Sequence, residues 1–369
     1  MSAVAVEVPL ASIAVVLGTR PEAIKLAPVV EVLGPRAAIV HTGQHYDATL
    51  GSDVLDELAF PPADHQLGVG GSRRGAQIGA AVAALDALFV ERRPAAVVVQ
   101  GDTNATVAGA IAANAAEVPL VHVEAGLRSY DRAMPEEHNR ILADHLADLC
   151  CAPTEVSAAN LAREGISGGR VVVTGNTIVD VLSRLLLPPD ARRRHLDAFG
   201  IEADRFVLAT LHRPENVDHP EPYAAVLEAL AQLRVPVVLP LHPRSVERAR
   251  RFGLDGLLAR LHVTAPLAPR QFLALAAESA LIVSDSGGLQ EEASVLKRPV
   301  IVVRRSTERP EVQGTFAEVV APGGDLVGRA RAWLDDPARR AALASVPTPY
   351  GDGRASVRIV ESLTELVTA

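Results

Sequence analysis

The sequence predicts an α/β protein built from two doubly wound, parallel-sheet domains, and three observations support this. The chain has 369 residues, which suits two domains of roughly 100–200 residues each better than one. Apolar runs rich in Val and Ile alternate with segments of helical periodicity. These runs are continuous rather than alternately apolar and polar, as is typical of parallel strands covered on both faces. Such alternation of strands and helices favours doubly wound sheets.

The predicted strands form two sets along the chain. The first set lies at 13–17, 38–42, 96–100, 120–124 and 171–174. The second set lies at 206–211, 237–241, 281–284 and 300–303. Amphipathic patterns predict helices at 76–90, 104–115, 222–233, 271–279 and about 355–368.

A proline-bearing, charged stretch separates the two sets and predicts a domain boundary; it reads LPPDARRR and spans 187–194. We expect an N-terminal domain over 1–186, a C-terminal domain over 187–346, and a segment over 347–369 that packs back on the N-terminal domain. Two such domains in tandem create a cleft, and ligands of these sheets bind at the carboxyl ends of the strands. The strand-to-helix junctions are therefore the candidate sites.

Composition excludes several other classes of protein. A net charge of −8, scarce aromatic residues and the absence of a long basic run argue against nucleic-acid binding. The two cysteines, Cys150 and Cys151, are adjacent, so they predict small buried residues in a reducing cytoplasm rather than a disulfide or zinc site. The N-terminal segment lacks a basic region, and no run is long enough to cross a bilayer. We therefore expect neither a signal peptide nor a membrane span.

The first junction reads GTRPEAIK, at 18–25, and predicts an anion site. A turn here leads directly into a helix with proline at its start, and free backbone N–H groups at a helix start attract anions. Arg20 and Lys25 add positive charge beside that turn. The motif is not a dinucleotide fingerprint, and a solvated basic residue is the ordinary alternative.

Carboxylates follow the third and fourth predicted strands and begin the next helix. Asp102 follows the strand at 96–100, Glu124 ends the strand at 120–124, and Glu136 follows Pro135 at a helix start. Helix capping and the helix dipole would each explain one acidic residue. Three carboxylates at one edge instead predict acid and base catalysis, because crowding should raise the pKa of at least one of them. Arg128 or Arg140 could keep the others ionised.

The second half of the chain repeats this arrangement. His212 and His242 each directly follow a predicted strand and precede an arginine within two positions, which favours a phosphate or proton-transfer site over a structural histidine. The next junction reads SDSGGLQEE and offers a hydroxyl, backbone donors and a carboxylate placed for a ribose diol. The candidate ligands here are Ser286, Gly287, Gly288 and Glu292, and the following strand end adds Arg309.

The ordered motifs together resemble the non-hydrolysing UDP-N-acetylglucosamine 2-epimerase family. They occur from about residue 13 to 360 and read GTRPEAIK, GQHYD, GDTNAT, HVEAGLRS, MPEEHNR, TGNTIVD, HRPEN, LHPR, DSGGLQEEAS, TERPE and PYGDG. The resemblance implies a GT-B-like architecture of two Rossmann-like domains around a cleft. It also implies reversible inversion at C2 of the sugar, by elimination of UDP to 2-acetamidoglucal and re-addition to give UDP-ManNAc.

The resemblance further implies a role for each candidate residue. Asp102, Glu124 and Glu136 match the acid and base positions, and His212 matches the histidine near the diphosphate. Nucleotide-sugar binding is implied for Arg20, Lys25, Arg140, His242, Ser286, Gly287, Gly288, Glu292 and Arg309. The family implies no cofactor and no catalytic metal. It also implies a cytoplasmic homodimer serving cell-surface polysaccharide synthesis.

Several alternatives remain open at this stage. The same mechanism could act on another nucleotide sugar, such as a diacetamido-uronic acid. A hydrolysing relative would release free ManNAc, although the Pro-Glu pair after GTR argues against it. A GT-B glycosyltransferase or a non-catalytic binding module would not need the three carboxylates. A second UDP-GlcNAc could bind as an activator near Gln44, Asp47 and Arg74, but this match is loose.

Overall fold

The computed structural model describes residues 12–44 and 52–368. The N-terminal segment expected to lack a signal peptide lies largely outside the described residues, as do the last three positions of the GQHYD motif, including Asp47. The chain divides into two compact units. Unit 1 comprises Met1–Arg184 and Tyr350–Ala369, and unit 2 comprises Leu185–Pro349.

Unit 1 is built on a parallel sheet of seven strands in the order β3-β2-β1-β4-β5-β6-β7. Its strands are β1 (Ile13–Leu17), β2 (Ala37–His41), β3 (His65–Gln66), β4 (Ala96–Gln100), β5 (Leu120–Val123), β6 (Leu149–Ala152) and β7 (Val171–Val173). Its helices are α1 (Arg20–Leu33), α2 (Ser52–Glu57), α3 (Arg74–Arg92), α4 (Asn104–Ala115), α5 (Pro135–Leu146), α6 (Glu155–Arg163), α7 (Thr177–Leu185) and α17 (Ala355–Thr368).

Unit 2 is built on a parallel sheet of six strands in the order β10-β9-β8-β11-β12-β13. Its strands are β8 (Val207–Thr210), β9 (Val237–Pro240), β10 (His262–Thr264), β11 (Leu281–Ser284), β12 (Val300–Val303) and β13 (Ala317–Val320). Its helices are α8 (Pro189–Phe199), α9 (Pro214–Val217), α10 (Pro220–Ala231), α11 (Pro243–Arg251), α12 (Asp255–Leu258), α13 (Pro269–Glu278), α14 (Gly288–Leu296), α15 (Leu326–Leu334) and α16 (Pro337–Ala342).

The sheet of unit 1 is covered on both faces by apolar side chains, which explains its continuous apolar strands. Alternate residues of β1, such as Val16 and Val15, point into two different buried clusters. One cluster packs against α3 and α4, and the other includes Ile359 of α17. The final helix thus completes one face of the N-terminal sheet. The predicted fold class of two doubly wound parallel sheets is confirmed.

Sequence patterns missed four short strands: β3, β6, β10 and β13. The strand β6 has the sequence LCCA, which lacks the Val and Ile that mark a strand. Cys150 and Cys151 lie in this strand, are fully buried and form no disulfide, so their predicted role as buried apolar residues is confirmed. Burial raises the pKa of the Cys151 thiol to about 12. Within residues 12–44 and 52–368, no helix is long and apolar enough to cross a membrane.

Candidate active site

Two predicted carboxylates lie just beyond the carboxyl ends of neighbouring strands in unit 1. The strands β4 and β5 pair in parallel with Gln100 opposite Val123, which places Asp102 and Glu124 at the same edge of the sheet. The strand β5 ends at Val123, one residue earlier than predicted. Glu124 instead adopts a φ of +67°, in the left-handed region that residues other than glycine rarely occupy. Such strain is typical of functional positions.

Each of these two carboxylates contacts a cation. Lys25 Nζ lies 2.8 Å from both carboxylate oxygens of Glu124, and the Gln100 side chain also donates to that carboxylate. Arg140 Nη2 lies 2.5 Å from Asp102 Oδ2. Lys25, which the sequence analysis assigned to an anion site, thus contacts a predicted catalytic carboxylate directly. Each of the two carboxylates therefore has a positively charged side chain within hydrogen-bond distance.

Glu136 and Glu137 are adjacent in sequence but differ in environment. Glu137 is buried, pairs with Arg140 at 2.6 Å and accepts the backbone N–H groups of Ser129 and Tyr130. Burial alone would raise the pKa of Glu137, but those two N–H groups and Arg140 lower it. Glu136 is exposed. Because residues four apart share a helix face, Glu136 lies on the same face of α5 as Arg140, which contacts Asp102. Helix α5 therefore carries both Glu136 and the arginine that contacts Asp102.

The turn that follows β1 differs from the predicted open anion site. Glu22 is 1 % exposed, and its carboxylate accepts the Gly18 N–H at 3.0 Å and the Thr19 hydroxyl at 2.7 Å. The Thr103 hydroxyl, next to Asp102, donates to the same carboxylate at 2.7 Å. Burial raises the pKa of Glu22 to about 7, despite these donors. Glu22 thus joins the turn that carries Arg20 to the turn that carries Asp102, and Arg20 itself is half-buried at the start of α1.

The prediction that Arg128 could keep the catalytic carboxylates ionised is wrong. Arg128 is buried and pairs with Asp144 at 2.7 Å and with Glu164 at 2.6 Å. Burial alone would lower its pKa, but these two carboxylates raise it. Asp144 also contacts His122 Nδ1 at 2.7 Å, and His122 Nε2 contacts the Gly101 carbonyl at 2.9 Å. This buried network lies beneath the loop that presents Asp102.

In unit 2, a buried aspartate holds the loop that carries His212. Asp285 is fully buried, follows β11 and contacts His212 Nδ1 at 2.7 Å. It also accepts the backbone N–H groups of His212 and Arg213 and the side-chain amide of Asn216. Burial alone would raise the pKa of Asp285, but the hydrogen bond and charge of His212, with Arg213 and Asn216, lower it. The His212 side chain is 61 % exposed.

The predicted nucleotide-binding residues begin at the next turn. Ser286 and Gly287 precede α14, which begins at Gly288, and all three are partly exposed. Glu292 is also partly exposed, whereas its neighbour Glu291 is fully buried. The turn therefore presents a hydroxyl and backbone donors beside one accessible carboxylate.

Two further predicted ligand residues, Arg309 and His242, make contacts within unit 2. Arg309 is 6 % exposed, and its guanidinium contacts Glu291 at 2.8 Å and also Glu308. A Cβ added at Gly287 would lie 2.7 Å from Glu308 Oε1, so this cluster supports the glycine turn from below. His242 is exposed and caps α11, where Nδ1 accepts the Arg244 N–H at 3.2 Å.

Comparisons with known proteins identify the family. The family model described as UDP-N-acetylglucosamine 2-epimerase matches residues 34–364. The chain belongs to this family. Its members are isomerases, so the resemblance noted from the motifs and the predicted enzyme class are both confirmed.

Individual epimerases match over almost the full chain. The UDP-N-acetylglucosamine 2-epimerase of Methanocaldococcus jannaschii is 36% identical over 95% of this chain and 98% of its own. The UDP-2,3-diacetamido-2,3-dideoxy-D-glucuronate 2-epimerase of Pseudomonas aeruginosa is also 36% identical, over 95% and 99%. The crystal structure of the M. jannaschii enzyme in complex with UDP-GlcNAc and UDP has a TM-score of 0.84, at 35% identity over 96% and 99%. The predicted GT-B-like fold class is confirmed.

Sequence reasoning overlooked the residues that hold this site in place. Glu22, His122 and Asp285 lie inside motifs that the sequence singles out, namely GTRPEAIK, HVEAGLRS and DSGGLQEEAS. Each is buried, at 1 %, 0 % and 0 % exposure. The available signal was a charged or polar residue within one or two positions of a predicted catalytic or ligand residue. Only the fold shows that these side chains point inward.

Proposed function

We propose that this protein is a non-hydrolysing UDP-GlcNAc 2-epimerase that interconverts UDP-GlcNAc and UDP-ManNAc. The observation that carries the proposal is the set of carboxylates in unit 1, where Glu124 pairs with Lys25 and Asp102 pairs with Arg140. The family membership and the similarity to epimerases over nearly the full chain support it.

The C2 proton of the sugar has no adjacent carbonyl group, so it is not acidic enough for simple abstraction and return. In the proposed first step a carboxylate takes the C2 proton while the bond between C1 and the diphosphate oxygen breaks. The electron pair of the C2–H bond forms the C1–C2 double bond of 2-acetamidoglucal, and UDP leaves with the C–O electron pair. In the second step a UDP oxygen attacks C1, and a carboxylic acid delivers a proton to the opposite face of C2.

The proposed roles follow from charge and exposure. Asp102 and Glu124 each pair with a cation just beyond the ends of β4 and β5, and Glu136 is exposed on the helix that carries Arg140. We assign the proton transfers at C2 to these three side chains. A general acid or base contributes roughly 10²–10⁴-fold to rate. The forward and reverse epimerisations pass through the same 2-acetamidoglucal. A carboxylate that acts as base in one direction therefore acts as acid in the other.

The remaining proposed roles concern the nucleotide. His212 and Arg20 would stabilise the diphosphate, whose negative charge increases as the C–O bond breaks. Ser286, Gly287 and Gly288 would donate hydrogen bonds to phosphate, and Glu292 would accept those of the ribose hydroxyl groups. Arg309 and His242 complete the proposed set: Arg309 by supporting the Gly287 turn, and His242 at the start of α11.

A second candidate function is the same reaction on UDP-2,3-diacetamido-2,3-dideoxy-D-glucuronate. The relative from P. aeruginosa with that name is as similar to this chain as the M. jannaschii enzyme, at 36% identity. The two substrates differ at C3 and C6, but both carry the same hydrogen and acetamido group at C2. The same elimination and re-addition can therefore be written for either sugar.

Product analysis separates these functions. Purified protein is incubated with each nucleotide sugar, and the products are followed by NMR and by separation of the nucleotides. The proposal predicts UDP-ManNAc from UDP-GlcNAc, at a rate that Asp102→Asn lowers by at least about 100-fold. Turnover of the diacetamido-uronate alone would support the second candidate. Free ManNAc with UDP would indicate a hydrolysing enzyme, and no turnover of either sugar would contradict both functions.

We also propose a cytoplasmic homodimer that supplies UDP-ManNAc to cell-surface polysaccharide synthesis. The support is what membership of the epimerase family implies. Sedimentation of the purified protein tests the dimer directly. A sedimentation coefficient that matches one chain of 38.8 kDa at micromolar concentration would contradict it.

A further inference from the structure

The carboxylate of Asp285 contacts the His212 ring as well as the backbone around it. Three of its contacts are donors from the loop after β8: the His212 N–H at 3.0 Å, the Arg213 N–H at 2.9 Å and the Asn216 amide at 3.1 Å. The fourth contact is with His212 Nδ1 at 2.7 Å. An ionised carboxylate can only accept hydrogen bonds, so Nδ1 must carry a hydrogen.

This hydrogen fixes the tautomer of the His212 ring. A neutral imidazole carries one hydrogen, so a ring protonated at Nδ1 has its free electron pair at Nε2. A second proton then enters at Nε2 and converts the ring into a cation with an N–H donor there. Because the side chain is 61 % exposed, the ring is accessible to a ligand while Nδ1 is held by the buried carboxylate.

Resting on the proposed function, we propose that Asp285 is a positioning residue that holds His212 as the Nδ1–H tautomer and thereby directs Nε2 to the diphosphate of the nucleotide. A phosphate oxygen only accepts hydrogen bonds, so the bound state requires a hydrogen at Nε2. The resulting imidazolium is stabilised by phosphate on one side and by Asp285 on the other. Such charge-assisted hydrogen bonds are among the stronger ones in proteins. The proton at Nε2 is taken up from solvent, and no other covalent bond forms or breaks in this interaction.

A second cation is anchored to the same residue. The Arg213 Nε donates to the backbone carbonyl of Asp285 at 2.9 Å, while its N–H donates to the side chain. The side chain of Asp285 thus holds the histidine, and its main chain holds the arginine. Both contacts lie one residue before Ser286, the first proposed phosphate ligand in the turn.

The first experiment reads the tautomer without any turnover. Two-bond ¹H–¹⁵N correlation spectra of ¹⁵N-labelled protein are recorded at a pH where the His212 ring is neutral. The signal is assigned by its loss in His212→Gln. We expect the Nδ1–H tautomer in the wild type and a mixture, or the Nε2–H tautomer, in Asp285→Asn. In Asn216→Ser, which removes a loop hydrogen bond but not the ring contact, the Nδ1–H tautomer should persist. An Nε2–H tautomer in the wild type would overturn the proposal.

The second experiment measures the affinity for UDP by titration calorimetry. We expect Asp285→Asn and His212→Gln each to weaken UDP binding roughly tenfold or more, because each removes a charge-assisted interaction. The double variant should be no weaker than His212→Gln alone, since Asp285 acts through that ring. Additive losses, or an equal loss in Asn216→Ser, would indicate general support of the loop and overturn the inference.

The two experiments distinguish this inference from the proposed function. If the tautomer and the UDP affinities change as expected but no nucleotide sugar is epimerised, the proposed function fails and the inference stands. If epimerisation is observed but Asp285→Asn leaves the tautomer and the UDP affinity unchanged, the inference fails and the function stands. A wild-type protein that does not bind UDP would contradict both.

Discussion

Glu22 should make the stability of unit 1 fall as pH rises from about 4.5 to about 7. Its carboxyl is 1 % exposed, and burial raises its pKa from 4.5 to about 7. Between these two values the unfolded chain has released the proton while the folded protein still holds it. The free energy of unfolding therefore decreases with pH over this window. The stabilisation is complete below the unfolded pKa and is lost as pH rises through the folded one.

The magnitude follows from the size of the shift. One pKa unit corresponds to about 1.36 kcal/mol, so a rise from 4.5 to about 7 corresponds to about 3 kcal/mol. Glu22→Gln removes the titrating group and keeps the size of the side chain, although it replaces one acceptor oxygen by an NH2 donor. Lost or altered hydrogen bonds in the variant add an offset that does not depend on pH, so the difference in slope isolates the Glu22 carboxyl.

Native-state hydrogen exchange is the suitable assay, because it reports on each unit of a two-unit chain separately. Exchange of the β1 and β4 amides, corrected for the intrinsic effect of pH, gives the opening free energy of unit 1. We expect the wild type to lose about 3 kcal/mol relative to Glu22→Gln between pH 4.5 and 8. Glu137→Gln serves as a control in which the pH dependence has the opposite sign. The pKa of Glu137 is lowered in the folded protein, so the wild type should lose stability relative to Glu137→Gln as pH falls. If the opening free energy of the wild type varies with pH in parallel with that of Glu22→Gln, the Glu22 carboxyl does not titrate with a raised pKa.

Three further predictions concern unit 1. Glu136→Gln should lower kcat by about 100-fold or more with little change in Tm, whereas Glu137→Gln should lower Tm because it breaks a buried ion pair. Steady-state kinetics and calorimetry of both variants check this prediction. A lower Tm for Glu136→Gln would contradict it. Lys25→Met should lower kcat by roughly 100-fold, because the Glu124 carboxylate loses its cation, and unchanged kinetics would contradict the role of this pair. Gly126→Ala should reduce the free energy of unfolding by at least ~2 kcal/mol. The reason is that Gly126 has a φ of +82° and that an added Cβ would lie 2.3 Å from the Ser157 carbonyl oxygen. Unfolding in urea measures this loss, and an unchanged midpoint would contradict the prediction.

The fold was predictable from the sequence because parallel strands buried on both faces leave continuous apolar runs. The strands β1, β4, β11 and β12 match the predicted ranges at both ends. The strand β6 was not predicted, because LCCA carries no strand signal; its pairing with β5 and β7 makes it a strand. Tertiary pairing, rather than local propensity, determines such short strands.

The candidate site was predictable only in part, because residue type shows chemistry but not direction. Both Glu136 and Glu137 stand in the first turn of α5, yet one is exposed and the other is buried against Arg140. Arg128 and Arg140 likewise have the same charge and lie in neighbouring motifs, but Arg128 pairs with Asp144 whereas Arg140 contacts Asp102. The direction in which these side chains point depends on how the loop after β5 folds. In that loop Glu124 and Tyr130 have positive φ values, which the sequence does not reveal.

The fate of the C2 hydrogen tests most directly whether carboxylates in unit 1 exchange that proton during epimerisation. UDP-GlcNAc is incubated with the protein in D₂O, and the C2 position of substrate and product is followed by NMR. Exchange by carboxylates in unit 1 predicts that UDP-ManNAc forms with deuterium at C2, and that Asp102→Asn suppresses both the product and the label. Product that retains the original hydrogen at C2 would show that no solvent-exchangeable carboxylate carries the proton. That result would contradict the proposed elimination and re-addition mechanism.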